Sequence, residues 1–200
     1  MANANNPIGL RPINDNGTPW SGQGRMVAFP GTQGVNIFLG DPLVPLGGTD
    51  AFGMPYVGLA SAGAGNTILG GFVGICNGPA GSHYTVTRDL PVYRQASVAN
   101  YGFVCDNPNQ LYVIQEDSVG GAIAAGVAGF ANGNLVAGAG SLITGYSGWQ
   151  LQSSSVSAAA NPTYQLRILG AVRGPDIVLG TYCDWVVRIN LPALWGASGY

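Results

Sequence analysis

The sequence predicts an all-β protein: a jelly roll, or a related β-sandwich or barrel, with an extended N-terminal arm and at most one short helix. Three observations support this fold class. Of the 200 residues, 33 are glycine and 13 are proline, which suits turns and close strand packing. Lysine is absent and Glu116 is the single glutamate, so the chain lacks residues on which helix bundles depend. Short apolar runs recur about every 8–12 residues, as in sandwiches and barrels.

Residues 1–35 are predicted to form an extended arm in front of a single β domain at 36–200. Prolines at positions 7, 12, 19 and 30 exclude a helix in this segment. A flexible linker would not need the apolar side chains that are scattered through it: Ile8, Leu10, Ile13, Trp20, Met26, Val27 and Phe29. We therefore expect the arm to lie in a groove, either on its own domain or on a neighbouring molecule. The alternative is a disordered start before the first strand.

The strands of the β domain are predicted from apolar runs that end at Gly, Pro, Asn or Asp. Segments 164–169 and 185–191 show clear alternation, with Arg167 and Arg188 facing away from the core. A hairpin is predicted where segments 101–105 and 111–115 flank a four-residue connection. The other predicted strands are 36–39, 43–46, 54–59, 67–75, 84–87, 92–95, 135–136, 142–144 and 149–151.

Residues 118–160 form a stretch rich in Gly, Ala and Ser within the β domain. We interpret 122–128 as a short helix, although its flanking glycines disfavour one. The uncharged window 119–145 is long enough to span a bilayer, but the Asn-Gly-Asn triplet at 132–134 is a turn signal that would be costly in lipid. We therefore expect no membrane segment. The first seven residues have no basic or apolar region typical of a secretory signal, so we expect synthesis in a cytoplasm.

The sequence shows no recognisable catalytic constellation, and we expect a non-enzymatic protein without a cofactor. His83 is the single histidine, and no orienting partner lies near it in sequence. Glu116 and Asp117 are adjacent, and we interpret them as a solvated turn at a strand end. The glycine-rich segments 63–66 and 138–140 are not phosphate-binding loops, because such loops require a lysine.

Metal binding is not expected either. Cys76, Cys105 and Cys183 are far apart and odd in number, and no Cys-x-x-Cys pair occurs. We interpret the three cysteines as small buried apolar residues.

The charge balance favours a protein partner over nucleic acid. Only 8% of the residues are charged, the formal net charge is −2, and every basic residue is arginine, whereas nucleic-acid binding needs a basic stripe. Arginine suits interfaces and lysine is depleted in their cores, but a GC-rich genome would produce the same bias, so both explanations stay open. Asp176 and Asp184 are candidate ion-pair partners of Arg167 and Arg188, either within the chain or across an interface. The candidate interface residues are Ile8, Leu10, Arg11, Trp20, Arg167, Arg188 and Trp195.

Several segments resemble, in order, a family of structural proteins of tailed-phage virions. Residues 6–13 read Asn-Pro-Ile-Gly-Leu-Arg-Pro-Ile, and Gly-Thr-Pro-Trp follows at 17–20. The family begins with Met-Ala-Asn, followed by Pro-Phe-Gly-Leu-Arg-Pro-Val and then Gly-x-Pro-Trp/Tyr. The chain departs from this pattern at Ile8, where the family favours Phe. Further similar pieces are 38–42, 145–148, 151–155, 166–170 and 186–190.

This resemblance implies a capsid cement or decoration protein, in families of which jelly-roll trimers are common. The expected partners are the major capsid protein and further copies of this chain in a homotrimer, with neither nucleic acid nor membrane. The expected location is the capsid exterior, after synthesis in the bacterial host cytoplasm. An alternative is a head-fibre or tail adsorption module that binds a host surface glycan by stacking Trp20, Trp149 or Trp195 on sugars. A hydrolase with an unrecognised carboxylate pair is a third hypothesis.

Overall fold

The chain folds into a closed β-barrel and a five-stranded antiparallel sheet, so the predicted all-β class is confirmed. The computed structural model describes residues 3–14, 20–76, 91–159, 161–172, 174 and 178–194. One turn of 3-10 helix covers Ser153–Ser155. The strands are β1 (Arg11–Ile13), β2 (Arg25–Phe29), β3 (Pro42–Thr49), β4 (Pro55–Leu59), β5 (Gly70–Cys76), β6 (Asn100–Cys105), β7 (Leu111–Gln115), β8 (Asn132–Gly133), β9 (Leu135–Val136), β10 (Gln150–Leu151), β11 (Leu166–Ala171) and β12 (Asp184–Ile189).

The barrel closes in the order β2-β4-β3-β5-β6. β2 and β4 run parallel, and the other neighbouring pairs are antiparallel. Phe29 and Phe72 meet edge to face inside it, with ring centroids 5.5 Å apart, an arrangement that aromatic pairs prefer. Other buried residues of this core are Val27, Ile37, Leu43, Val57, Leu69 and Val104.

The five-stranded sheet has the order β1-β7-β12-β11-β8. Its inner face contributes seven residues to a second apolar core: Tyr112, Ile114, Leu166, Ile168, Trp185, Val187 and Ile189. The alternation predicted for the last two long strands is confirmed, since Arg167 is exposed between two buried residues of β11. A bulge separates Ile168 from Gly170, and the alternation stops there.

The barrel and the sheet are joined by buried hydrogen bonds. The hydroxyl of Tyr112 on β7 donates to the carbonyl oxygen of Cys105 on β6 at 2.6 Å. The buried Gln165 amide donates to the carbonyls of Ser61 and Asn66, and its oxygen accepts from the backbone N–H of Gly63. These bonds satisfy backbone groups that would otherwise be buried without partners.

The predicted hairpin between residues 101–105 and 111–115 is wrong, although both strands exist. β6 pairs with β2 and β5, whereas β7 pairs with β1 and β12. Each strand therefore has both edges occupied by other partners. The short connection is closed by a turn in which the Gln110 N–H donates to the Asn107 carbonyl at 2.9 Å, and it carries the chain from the barrel to the sheet.

The N-terminal segment is extended, but its described residues belong to the folded body. β1 pairs with β7, and β2 pairs with β6 inside the barrel. Gln115 holds the chain ahead of β1 by accepting from the Asn6 N–H and donating to the Ala4 carbonyl. Leu10, Val27 and Phe29 are buried. The described apolar residues of this segment therefore complete the chain's own cores and cover strand edges that would otherwise be open.

Three local predictions are also wrong. Residues 122–128 form a turn and not a helix, because only the N–H groups of Val127 and Ala128 bond back to Ala124. Segment 142–144 is a turn, and segments 36–39 and 92–95 meet only through the single bridge Ile37↔Arg94. The predicted strand at 84–87 lies outside the described residues, as does His83.

The interpretation of the three cysteines is confirmed, since Cys76, Cys105 and Cys183 are buried and form no disulfide. Within the described ranges, no helix has the length and apolar character needed to cross a membrane.

Candidate interaction surfaces

Four of the seven predicted interface residues line one apolar cleft. Ile8, Leu10, Arg11 and Trp20 face it from the N-terminal segment, and the cleft has a volume of about 210 Å³. The remaining wall consists of Pro12, Leu39, Gly40, Phe72, Val73 and Tyr146. We call this set the apolar cleft.

Two glycines bring the walls of the apolar cleft together. Gly9 and Gly40 have φ angles of +66° and +91°, which only glycine adopts at low cost. The Leu10 N–H donates to the Gly40 carbonyl at 2.7 Å, and the Gly40 N–H donates to the Phe72 carbonyl at 2.7 Å. A Cβ atom at Gly40 would lie 2.1 Å from the carbonyl oxygen of Ile8. The backbones touch at this point, so the cleft depends on both glycines.

A buried carboxyl group lies beside this junction. Asp41 follows Gly40, and its side chain accepts a hydrogen bond from the Phe38 N–H at 2.8 Å. Burial nevertheless raises the pKa of Asp41 to about 6, because desolvation disfavours the charged form. The turn beneath the cleft therefore contains a group that titrates in mildly acidic solution.

Residues 141–146 form an exposed turn next to the apolar cleft, and we call them the apolar loop. The Ser141 N–H donates to the Tyr146 carbonyl, and the Gly145 N–H donates back to Ser141. Leu142 and Ile143 lie at the tip, where Ile143 is 92% exposed. Tyr146 is 49% exposed and also lines the cleft. The loop and the cleft thus form one continuous apolar surface.

Trp20 also borders a second, polar cleft of about 470 Å³. This cleft is uncharged, and apart from Trp20 and Ile13 its lining is amide and hydroxyl: Asn14, Ser21, Gln23, Asn107, Asn109 and Gln110. Amides around an aromatic ring provide hydrogen bonds and a stacking face for a neutral polar ligand.

The two other described candidates, Arg167 and Arg188, do not line the apolar cleft. They occupy directly opposite positions on β11 and β12. Neither arginine pairs with Asp184 within the chain: among the residues that the structure describes, the single ion pair joins Arg25 to Asp106. Pairing across an interface stays a prediction. Burial raises the pKa of Asp184, and the nearby charge of Arg11 opposes this shift. Trp195 and Asp176 lie outside the described residues.

The interpretation of Glu116 as part of a solvated turn is wrong. Its side chain is fully buried and accepts hydrogen bonds from the indole N–H of Trp185, the Ile123 N–H and the Ser118 hydroxyl. Local sequence gave no signal of the indole contact, because Trp185 lies 69 residues farther along the chain. The apolar loop was also missed, although Ser141 and Gly145 at its ends are turn formers.

Comparison with known proteins assigns no class to this chain, so its fold and its surface are what describe it. Among the described residues, no group of three or more His, Cys, Asp or Glu side chains could hold a metal ion. No family model, no curated protein and no solved structure matches the chain. The structure therefore defines an all-β protein, a barrel joined to a sheet, with an exposed apolar surface and a separate pair of outward arginines.

Proposed function

We propose that this chain is a non-enzymatic structural protein of a tailed-phage head, which binds the major capsid protein on the capsid exterior. The observation that carries the proposal is the apolar loop with Ile143 almost fully exposed beside the apolar cleft. Large contiguous apolar patches on soluble proteins mark contact sites. The resemblance of the sequence to virion structural proteins supports the major capsid protein as the partner.

The proposed mechanism is clamping by many weak contacts. Burial of apolar surface contributes about 25 cal/mol per Å², so the loop and cleft of one copy bind modestly by themselves. Copies joined in a homotrimer would engage neighbouring capsid subunits together, and linked contacts bind far more tightly than single ones. A protein of this kind stabilises the shell without performing any reaction.

The first prediction concerns the apolar loop. Replacing Leu142 and Ile143 together by Asn should lower the occupancy of the protein on capsids at least tenfold, because the variant loses the apolar contact while the turn keeps its backbone bonds. Occupancy is measured by sedimentation of particles that were assembled without this chain and then mixed with it.

Val119→Asn is the matched control, since Val119 is 85% exposed in a different loop. It should bind like the unmodified protein. Failure of the unmodified protein to bind would contradict the proposed function. Deleting residues 1–30 would be a poor substitute for this experiment, because the deletion removes β1 and β2.

The polar cleft favours a second candidate, an adsorption module that binds a host surface glycan. Trp20 offers a stacking face, and six amide or hydroxyl side chains surround it. Copy number separates the two functions, since a cement protein occurs in hundreds of copies per virion and a fibre in tens or fewer. Binding of neutral oligosaccharides that is lost in Trp20→Ala, together with a low copy number, would favour adsorption.

A further inference from the structure

Three arginines share the outward face of the five-stranded sheet. Residues directly opposite in an antiparallel pair point to the same side. Arg167 lies opposite Arg188, Arg188 lies opposite Leu111, and Arg11 lies opposite Val113, two residues farther along β7. The residues between these positions, such as Tyr112 and Val187, are buried on the inner face. We call the outward surface that carries Arg11, Arg167 and Arg188 the arginine face.

Among the residues that the structure describes, the arginines of this face outnumber its acidic residues three to one. The other described arginines are engaged: Arg25 pairs with Asp106, and the buried Arg94 donates to the carbonyls of Pro30, Gln33 and Val35. Within the described ranges, neither Arg167 nor Arg188 forms an ion pair. Asp184 is the one acidic residue on the described strands of this face, and its interaction is with Arg11. A chain of net charge −2 thus concentrates positive charge on one surface.

The opposition of Arg167 and Arg188 has a cost in the isolated chain. Directly opposite residues of an antiparallel pair have Cβ atoms about 5 Å apart, and like charges there are destabilising. An anionic group between the two guanidinium groups would attract both of them and so replace the repulsion by a favourable interaction. Arginine is well suited to that role, because its planar donors bind a carboxylate through two parallel hydrogen bonds.

The surroundings favour a protein as the source of the anion. The guanidinium of Arg167 lies over the ring of Phe130 at 5.8 Å, and Phe130 is 65% exposed. Val186 and Leu111 are half-buried on the same face. Arginine, aromatic and aliphatic side chains together are typical of protein interfaces. Nucleic acid would require a longer basic stripe.

We propose that Arg167 and Arg188 jointly bind an Asp or Glu carboxylate of a partner protein, with Phe130 packing beside the pair. Arg11, about 12 Å from Arg188 across two strand spacings, binds at the edge of the same contact. This inference rests on the proposed function in one respect, namely that the partner is the capsid protein. It deepens that function by adding a polar contact, of defined chemistry, to the apolar one.

The test begins with the purified chain and a peptide of four glutamates as the probe. Arg167→Gln and Arg188→Gln should each weaken peptide binding at least tenfold, measured by NMR titration at low salt. Arg25→Gln is the matched control and should leave the affinity unchanged, because it removes the same charge from the barrel. Equal affinities in all variants, or tighter binding of a double-stranded DNA oligonucleotide than of the peptide, would overturn the inference.

Stability gives a second readout that requires no partner. Arg188→Gln should raise the midpoint of thermal unfolding at low salt, and the gain should shrink as salt screens the repulsion. A lowered midpoint at low salt would contradict the proposed repulsion.

Binding of the chain to capsid particles distinguishes a failure of this inference from a failure of the proposed function. If the unmodified chain binds particles and the two arginine variants bind equally well, the inference is wrong and the function stands. If the unmodified chain does not bind particles, the proposed function is wrong, and the peptide titration alone decides whether the arginine pair is a carboxylate site.

Discussion

Among the described residues, three charged side chains lie in the interior of this charge-poor protein, and neutral groups bind each of them. Arg94 donates to three backbone carbonyls, Glu116 accepts from an indole, a backbone N–H and a hydroxyl, and Asp41 accepts from a backbone N–H. Such partners offset part of the desolvation cost without an opposite charge. Because these residues are buried, they add no charge to the surface, which is therefore even poorer in charge than the composition indicates.

Asp41 makes stability depend on pH. Its pKa is raised from 3.8 to about 6, so the folded chain binds more protons than the unfolded chain between these values. The free energy of unfolding should therefore fall as the pH rises from about 4 to about 7, by on the order of 2–3 kcal/mol from this group. Asp41→Asn keeps an acceptor for the Phe38 N–H and should flatten this part of the profile.

Urea unfolding between pH 4 and pH 7 measures the effect. Burial also raises the pKa of Asp184, which contributes with the same sign, so the decisive quantity is the difference between the unmodified chain and Asp41→Asn. Parallel profiles would show that Asp41 ionises normally.

At the scale of elements, the contact between the N-terminal segment and the turn before β3 depends on Gly40. Gly40→Ala should destabilise the chain by about 3 kcal/mol or more, because the new Cβ would collide with the Ile8 carbonyl and the residue would keep a positive φ. Gly74→Ala on β5 is the matched control, since no atom lies within 4 Å of its Cβ position, and it should change stability by less than about 0.5 kcal/mol. Equal effects in thermal unfolding would contradict this account of the junction.

Local sequence predicted the strands better than their pairing. The alternation of apolar and polar residues identified β11 and β12 and predicted that Arg167 and Arg188 face outward. A strand buried on one face alternates in this way, because successive side chains point to opposite faces of the sheet. Nothing in a local pattern identifies the neighbour of a strand, and the pairing of β6 and β7 with other strands was missed for this reason. β1 and β2 were missed because β1 is three residues long with a central proline, and because proline-rich surroundings resemble a linker. Four of the ten cleft residues were among the predicted interface residues, but their meeting with the rest depends on the contact of Gly9 with Gly40.

At the scale of the whole molecule, β1 is the edge of the sheet and the N-terminal anchor of the larger core. Removal of residues 1–14 should lower the free energy of unfolding by about 3–5 kcal/mol, since it deletes the fully buried Leu10 and exposes one edge of β7. Unfolding by denaturant measures the loss, and light scattering should show increased association through the open edge. Leu10→Ala is the matched comparison. It should lower the free energy of unfolding by about 2–4 kcal/mol, and it should not increase association, because β1 still covers the edge of β7. An unchanged stability after truncation would show that the strand is dispensable.

The connection between Cys105 and Leu111 has a consequence for the order of folding during synthesis. All five barrel strands lie between residues 25 and 105, so the barrel can close as soon as that stretch has left the ribosome. The sheet joins β1 to β7 and β7 to β12, so β1 has no partner until residues 111–115 have been made, and the sheet is incomplete until β12 follows at 184–189. Contacts between distant segments form slowly, and domains tend to fold as units while the chain grows. The nascent chain would thus carry a finished barrel whose flanking strands, β1 and β7, can already pair with each other, and β12 would be the strand whose arrival completes the molecule.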